Sequence, residues 1–183
     1  GYDMKKLFSA FITAIVCTVV LALSACGAET VESISKKYSD SLNKVKTVVT
    51  TVEYSDSGEA IYTEKRTLDI SGGKLVSEKT QIDSTTYKPV TKTTAEDVTV
   101  NRSDLKAVEL NASFIDSGYT IENGVLKGNV SGERVKSFFG GEFPAFGAVE
   151  FKVTLDGKTV ASIEYSFTTL EMKRAEVKIS YAY

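Results

Sequence analysis

The sequence has no histidine, no tryptophan, two cysteines and two prolines among its 183 residues. Without histidine the chain lacks the most common general base near neutral pH and the most common transition-metal ligand. It also lacks the acidic loop spacing of an EF-hand calcium site. The sequence therefore predicts no metal site and no bound cofactor.

The charges are nearly balanced, with a formal net charge of −2. Nucleic-acid binding depends on clustered lysines and arginines that neutralise phosphates. Only two short basic pairs occur, Lys36-Lys37 and Lys173-Arg174, and these are typical of solvated surface. We therefore expect no nucleic-acid partner.

Both cysteines lie close to the start of the chain. An apolar run, residues 7–23, follows Lys5 and Lys6 and ends in Leu23-Ser24-Ala25-Cys26. The run is shorter than the roughly 20 residues that span a bilayer, and no stop-transfer charges follow it. A basic start, an apolar middle and small residues before a cysteine predict a bacterial secretion signal. The alternative is a retained N-terminal anchor helix.

The end of this run resembles the lipobox of bacterial lipoproteins, in which the cysteine is lipidated and the preceding peptide is removed. The resemblance implies that residues 1–25 are a lipoprotein signal peptide, with residues 1–3 as an extension before Met4. It also implies that residues 26–183 are a single domain anchored by lipid at Cys26 to the extracytoplasmic face of a bacterial membrane. With Cys17 inside the leader, the domain has no disulfide.

One amphipathic helix is predicted at the start of this domain. Val31, Ile34, Tyr38, Leu42 and Val45 are spaced by three or four residues, and charged or polar side chains occupy the other positions. This spacing places the apolar side chains on one face of a helix. The helix should pack that face against the rest of the domain.

From Thr47 onward the apolar period changes to two, which predicts strands. The first strands are polar, and we expect the side chains of Lys65, Arg66, Glu78 and Lys79 to face solvent. Charge reversal at any of the four should then change stability by less than about 0.5 kcal/mol. The segments predicted as strands are residues 47–52, 61–70, 75–82 and 87–93.

The second half of the chain is more apolar and contains clear turn signals. Val108, Leu110, Ala112 and Phe114 alternate with polar residues and predict a strand with one buried face. Asn123-Gly124 and Asp156-Gly157 predict hairpin turns, and residues 131–139 predict a short helix capped by Ser131. The fold class is α+β: a curved antiparallel sheet of nine or ten strands with an N-terminal helix and a short inserted helix.

This order of elements resembles the superfamily of lipoprotein carriers that includes LolA, LolB, LppX and LprG. The closest likeness is in residues 151–158 and 161–165, a hydrophobic strand, an Asp-Gly turn and a second strand. The resemblance implies an open half-barrel whose concave face, covered by helices, holds acyl chains or another apolar ligand. The candidate ligand-lining residues are Phe114, Phe138, Phe139, Phe143, Phe146, Phe151 and Phe167.

Two other functions remain open at this point. In the first, the phenylalanines are ordinary core, and the polar strands between Ile61 and Thr93 dock a partner protein. In the second, Glu142 and Glu150 form a carboxylate pair of a hydrolase. No motif that pairs a nucleophile with its activating group occurs. We expect a binding protein of the cell envelope that is not an enzyme.

Overall fold

The computed structural model describes residues 27–183. The predicted leader and Cys26 lie outside the described residues. The described part contains two α-helices, nine strands and two 3₁₀ turns. Their bounds are α1 Val31–Leu42, β1 Thr47–Asp56, β2 Glu59–Asp69, β3 Lys74–Ile82, β4 Pro89–Asp97, 3₁₀ turns Arg102–Leu105 and Ala112–Phe114, β5 Thr120–Glu122, β6 Val125–Val130, α2 Arg134–Phe139, β7 Ala145–Asp156, β8 Thr159–Thr169 and β9 Arg174–Ala182.

The nine strands form one sheet in the order β4-β3-β2-β1-β9-β8-β7-β6-β5. Every neighbouring pair is antiparallel. Because β4 and β5 are edge strands, the sheet does not close into a barrel. Strand β9, the last in the chain, pairs with β1 and thereby joins a four-stranded N-terminal meander to a five-stranded C-terminal one.

The tight hairpin turns lie where the sequence places them. Ser57 and Gly58 have φ of 53° and 85°, and Asn123 and Gly124 have φ of 51° and 74°. Two successive left-handed residues match the right-handed twist of the flanking strands. The predicted Asn123-Gly124 turn between β5 and β6 is therefore confirmed, and Ser57-Gly58 forms a turn of the same kind between β1 and β2.

Helix α1 packs its predicted apolar face into the core. Val31, Ile34, Tyr38 and Leu42 are all buried. At its C-terminal end, the Arg102 guanidinium donates to the carbonyl oxygens of Leu42 (2.8 Å) and Val45 (3.1 Å). The Leu42 carbonyl is at the last position of α1 and has no partner within the helix, so the arginine satisfies it.

The stretch 108–114 is not the strand that its alternating pattern predicts. Val108 and Leu110 are buried as expected, but the Glu109 amide donates to the carbonyl of Phe138 in α2 (2.7 Å) instead of to a neighbouring strand. The Asn111 side chain then accepts from the Ser113 amide (2.9 Å) and begins a 3₁₀ turn. Alternation thus marked burial correctly but did not specify the hydrogen-bond partner.

Two element starts also differ from the sequence prediction. Helix α2 begins at Arg134 with Glu133 at its N-cap position, so the prediction that Ser131 caps it is wrong. The Ser131 amide instead donates to the Asp116 carboxylate at 3.3 Å. Strand β4 begins at Pro89 instead of Tyr87, because the Asp83 carboxylate accepts from the amides of Thr85 and Thr86 and extends the turn. Such Asx turns compete with strand pairing.

Candidate functional site

The two faces of the sheet differ in what covers them. On one face, the central strands pack large apolar side chains against α1, α2 and residues 107–115. We call this the helix-covered face. On the other face the described residues form an open groove of about 1040 Å³, called here the polar groove. Because Thr91 of β4 and Thr120 of β5 border the same space, the sheet curves around it.

Residues from all nine strands line the polar groove. Most of them are threonines, lysines and glutamates whose side chains alternate with the apolar residues of the helix-covered face. The lining residues are Thr51, Val52, Glu53, Thr63, Glu64, Lys65, Glu78, Thr80, Thr91, Gly118, Thr120, Lys127, Gly128, Asn129, Glu150, Phe151, Lys152, Glu164, Tyr165, Ser166, Glu176, Val177 and Lys178.

Strand register organises these side chains into two parallel rows. One row, the lysine row, crosses the whole sheet from β5 to β4 and carries four lysines and two glutamates. Its members are Thr120, Lys127, Lys152, Glu164, Lys178, Thr51, Lys65, Glu78 and Thr93. Neighbouring members lie about 5 Å apart, the distance between adjacent strands.

The second row, the glutamate row, lies two residues from the first on each of the eight strands β1–β4 and β6–β9. It carries three glutamates and no lysine. Its members are Asn129, Glu150, Ser166, Glu176, Glu53, Thr63, Thr80 and Thr91. Glu53 and Glu176 are directly opposite each other, an arrangement of like charges that destabilises a strand pair. The groove therefore presents separate basic and acidic strips.

Ion pairs connect part of this surface. Lys152 Nζ lies 2.8 Å from Glu164 Oε2 within the lysine row. At the border of the glutamate row, Arg174 lies 3.3 Å from Glu150 and 3.7 Å from Glu176, and its guanidinium donates to Ser166 Oγ at 2.6 Å. Exposed pairs of this kind contribute little to stability, so these charges remain available for a binding partner.

The seven phenylalanines predicted to line a ligand site are only partly brought together. Phe138, Phe151 and Phe167 are buried in the core. Phe114, Phe139 and Phe143 are half-buried and pack on that core. Phe146 is 59% exposed. Phe151 is the one member of the seven that also borders the polar groove.

The rings on the helix-covered face contact one another directly. Phe139 stacks on Phe143 with ring centroids 3.7 Å apart, and Phe138 lies 4.9 Å from Phe151 and 5.1 Å from Phe139. Tyr165 packs edge to face on Phe139, and burial raises the pKa of Tyr165 to about 12. The rings thus fill the space beneath α2 with aromatic side chains.

A glycine permits this packing. A Cβ added at Gly128 would lie 3.0 Å from the Phe151 ring and 3.0 Å from Tyr119 Cβ. Glycine therefore allows the Phe151 ring to approach the β6 backbone closely.

One charged cluster is centred on Glu64 of β2, which also borders the polar groove. Glu64 is 8% exposed and accepts hydrogen bonds from Tyr62 Oη (2.7 Å) and Arg66 Nε (2.6 Å), with Lys79 Nζ at 4.0 Å. Burial alone would raise the pKa of Glu64, but these donors and the charges of Arg66 and Lys79 outweigh it and lower the pKa. Burial and Glu64 together raise the pKa of Tyr62 to about 12. The cluster is a satisfied structural network.

Glu142 and Glu150, the carboxylate pair considered above, are both strongly exposed, with side-chain exposures of 86% and 67%. Glu142 pairs with Lys136, and Glu150 with Arg174. Neither lies in the buried surroundings that separate acid and base roles in a hydrolase.

Neither a metal-binding cluster nor a membrane-spanning helix is found in the described part of the chain. Within residues 27–183, no three His, Cys, Asp or Glu side chains are arranged to hold a metal ion. In the same residues, none of the helices combines the length and apolar character required to span a bilayer.

Comparison with known proteins found no family and low-scoring structural similarity. Neither the protein-family models nor the curated proteins include a match to this chain. Among solved structures, the chain is similar to two redesigned β-barrels. The first, mFAP1 bound to DFHBI, is 12% identical, with 81% of this chain and 98% of that chain covered and a TM-score of 0.25. The second, b11L5F_LGL, is 10% identical, with 78% and 96% covered and a TM-score of 0.23.

Proposed function

We propose that this chain is a lipid-anchored, non-enzymatic binding protein of the bacterial cell envelope, whose curved sheet acts as a half-barrel with a polar binding surface. One observation carries the proposal. The helix-covered face is filled by its own aromatic rings, whereas the other face is an open groove of about 1040 Å³ crossed by two charged rows. The partner therefore binds through polar contacts on the groove.

The size and character of the groove favour a protein partner over a small molecule. The groove is lined by 23 residues, similar to the roughly 20–30 residues that each side of a standard protein interface contributes. Small-molecule sites are enclosed and lined mainly by apolar residues, whereas this groove is open and lined mainly by threonine, lysine and glutamate residues. Strips of opposite charge would select a partner that carries the complementary strips.

An apolar ligand on the helix-covered face is the competing function. It would place an acyl chain among Phe138, Phe139 and Phe143, and the stacked rings of Phe139 and Phe143 would first have to separate. Aromatic pairs contribute about 0.5–1.5 kcal/mol beyond their buried area. Separating the two rings would therefore cost free energy, whereas binding in the open polar groove has no such cost.

The lipid anchor is tested at Cys26. Cys26→Ser removes the thiol that would carry the lipid, and the buried core residues of the described part begin only at Val31. We expect the variant to leave the membrane fraction and to keep the melting temperature of the anchored protein. A Cys26→Ser protein that still sediments with membranes after leader removal would contradict the anchor.

Site-specific photo-crosslinking in cells tests the groove. A photoreactive amino acid is placed at Lys65 or Lys178, two exposed members of the lysine row, and at the exposed Lys44 outside the groove as the control. We expect an adduct of one defined mass at both groove positions and none at Lys44. Charge reversal of Glu78, the neighbour of Lys65, should lower the adduct yield without changing the melting temperature.

Two results would count against the groove. The first is a set of crosslinks that is the same at Lys44 as at Lys65 and Lys178. The second is lipid that co-purifies with the protein in native mass spectrometry and is lost on Phe139→Ala, which would favour the apolar-ligand function.

A further inference from the structure

The four most exposed large apolar side chains of the described residues lie at the same end of the sheet. Nine large apolar residues are exposed in residues 27–183, and the four most exposed are Tyr87 (81%), Leu170 (67%), Met172 (64%) and Phe146 (59%). Single exposed apolar residues are normal on protein surfaces. Several of them at one end of a domain indicate a candidate interaction surface.

Strand direction places these four side chains at one end of the sheet. In an antiparallel sheet the β1–β2, β3–β4 and β8–β9 turns all lie at the same end, together with the start of β7. Tyr87 is in the β3–β4 turn, Leu170 and Met172 are in the β8–β9 turn, and Phe146 is at the start of β7 opposite Thr168. We call these four residues the apolar rim.

The opposite end of the sheet has a different character. Its β2–β3 and β7–β8 turns carry exposed polar residues such as Ser71, Asp156 and Lys158. Tyr183, which follows β9 at this end, is only 38% exposed, and its hydroxyl donates to the Val160 carbonyl at 2.7 Å. The two ends of the domain are therefore chemically distinct.

The β8–β9 turn holds its apolar side chains away from the core. The Thr169 amide donates to the Lys173 carbonyl (2.8 Å), the Met172 amide donates to the Thr169 carbonyl (2.9 Å), and the Lys173 amide donates to Thr169 Oγ1 (3.1 Å). Met172 and Tyr87 have φ of 61° and 54°, where glycine or asparagine is preferred. Turn geometry thus gives no reason for bulky apolar residues at these positions.

The predicted anchor keeps such a surface close to lipid. Four residues separate Cys26 from Val31, the first residue of α1. Five extended backbone steps reach at most about 17 Å, so a domain anchored at Cys26 stays against the membrane surface. Exposed apolar and aromatic side chains held there partition into the interface between headgroups and acyl chains.

We propose that the apolar rim contacts the phospholipid bilayer that holds the anchor, with Tyr87, Phe146, Leu170 and Met172 inserted at the level of the headgroups. This inference rests on the lipid anchor of the proposed function. In this orientation, the strand ends that carry the apolar rim point toward the membrane. The polar groove lies on a face of the sheet and stays open to the side for its partner.

Single-cysteine labelling of the full lipidated protein tests the orientation. Lipidation blocks the Cys26 thiol, so a cysteine introduced at Leu170 or Met172 is the one reactive thiol of the processed chain. The matched controls are Lys158→Cys and Ser71→Cys in exposed turns at the opposite end. Each protein is labelled with bimane and reconstituted into phosphatidylethanolamine–phosphatidylglycerol vesicles that contain a doxyl-labelled phospholipid.

We expect bimane at positions 170 and 172 to lose emission to the doxyl lipid and to shift to the blue, and bimane at 158 and 71 to do neither. Adding Leu170→Glu and Phe146→Glu should abolish the quenching at position 172 while the protein still floats with the vesicles. Melting temperatures of the labelled proteins, compared with the unlabelled one, verify that each is folded.

The outcomes separate this inference from the proposed function. Protein that floats with the vesicles but shows no quenching at 170 and 172, or equal quenching at all four positions, would overturn the rim and leave the anchor intact. Protein that remains at the bottom of the flotation gradient would overturn both, because the chain would then not be lipid-anchored.

Discussion

The hydroxyl oxygens of Tyr38 and Tyr181 lie 2.9 Å apart in the buried layer between α1 and β9, and their rings meet edge to face with centroids 5.8 Å apart. The Ala107 amide donates to the same Tyr38 oxygen at 2.9 Å. Burial raises the pKa of both tyrosines, so both remain protonated. This contact joins the helix, the last strand and the segment that crosses between them.

The two tyrosines differ in what their removal would leave unpaired. Tyr38→Phe leaves both the Ala107 amide and the Tyr181 hydroxyl without this partner, whereas Tyr181→Phe leaves Tyr38 still accepting from Ala107. We expect Tyr38→Phe to cost about 1–3 kcal/mol of unfolding free energy and Tyr181→Phe about 0.5–1.5 kcal/mol. Urea denaturation measures both, and a larger loss for Tyr181→Phe would contradict this assignment.

Adjacent basic residues on β2 should differ in their effect on stability. Lys65, Arg66, Glu78 and Lys79 are all exposed as predicted, but Arg66 also binds the buried Glu64. We expect Lys65→Glu to change the unfolding free energy by less than about 0.5 kcal/mol. Arg66→Glu, which places a second carboxylate beside Glu64, should cost about 1–3 kcal/mol. Equal effects in thermal or urea denaturation would mean that the Glu64 contact contributes nothing.

Glu64 should also contribute to the pH dependence of stability. Its pKa is lower in the folded chain than the ordinary value of 4.5, so the folded state favours the ionised carboxylate. The stabilisation is fully present above that ordinary value and is lost as the pH falls through the lower folded pKa. The stability difference between the native chain and Glu64→Gln should therefore shrink on acidification. A difference that stays constant from neutral pH to pH about 3 would argue against the carboxylate as the source.

Two phenylalanines predicted as ligand-lining residues provide a matched pair for core packing. Phe138 is fully buried and contacts Phe139 and Phe151, whereas Phe146 is 59% exposed. We expect Phe138→Ala to cost about 3–5 kcal/mol and Phe146→Ala less than about 0.5 kcal/mol. Denaturation of the delipidated protein measures both. A small loss for Phe138→Ala, accompanied by uptake of a fluorescent fatty acid, would instead favour an apolar-ligand site under α2.

Local patterns in the sequence were enough to place most elements of the domain. The three- and four-residue spacing from Val31 to Leu42 specifies a helix face, and Asn123-Gly124 specifies a hairpin, because both depend on residues close in the chain. Alternation at Val108 and Leu110 correctly indicated burial. It could not show that the Glu109 amide pairs with Phe138, since many partners satisfy the same periodicity.

The candidate site required information that no single segment contains. Lys65 and Lys178 become members of one row only because β1 pairs with both β2 and β9, and Lys178 is more than 110 positions from Lys65 in the chain. The polar positions of these strands were visible as alternation, but a shift in register by one residue would have moved every side chain to the opposite face. The apolar rim has the same origin, because strand direction places its four residues at one end of the sheet.

The sequence alone therefore determined four features of this protein. Its composition excludes histidine chemistry, and its short-range patterns predict the secretion signal, the amphipathic helix and the hairpins. Each of these depends on composition or on short-range spacing. Tertiary structure decided that five of the seven candidate phenylalanines, Phe138, Phe139, Phe143, Phe151 and Phe167, pack on one another at α2. It also decided that the open groove lies on the polar face. Packing and strand order are set by contacts between distant segments, and their free energies are gained only when the whole sheet forms.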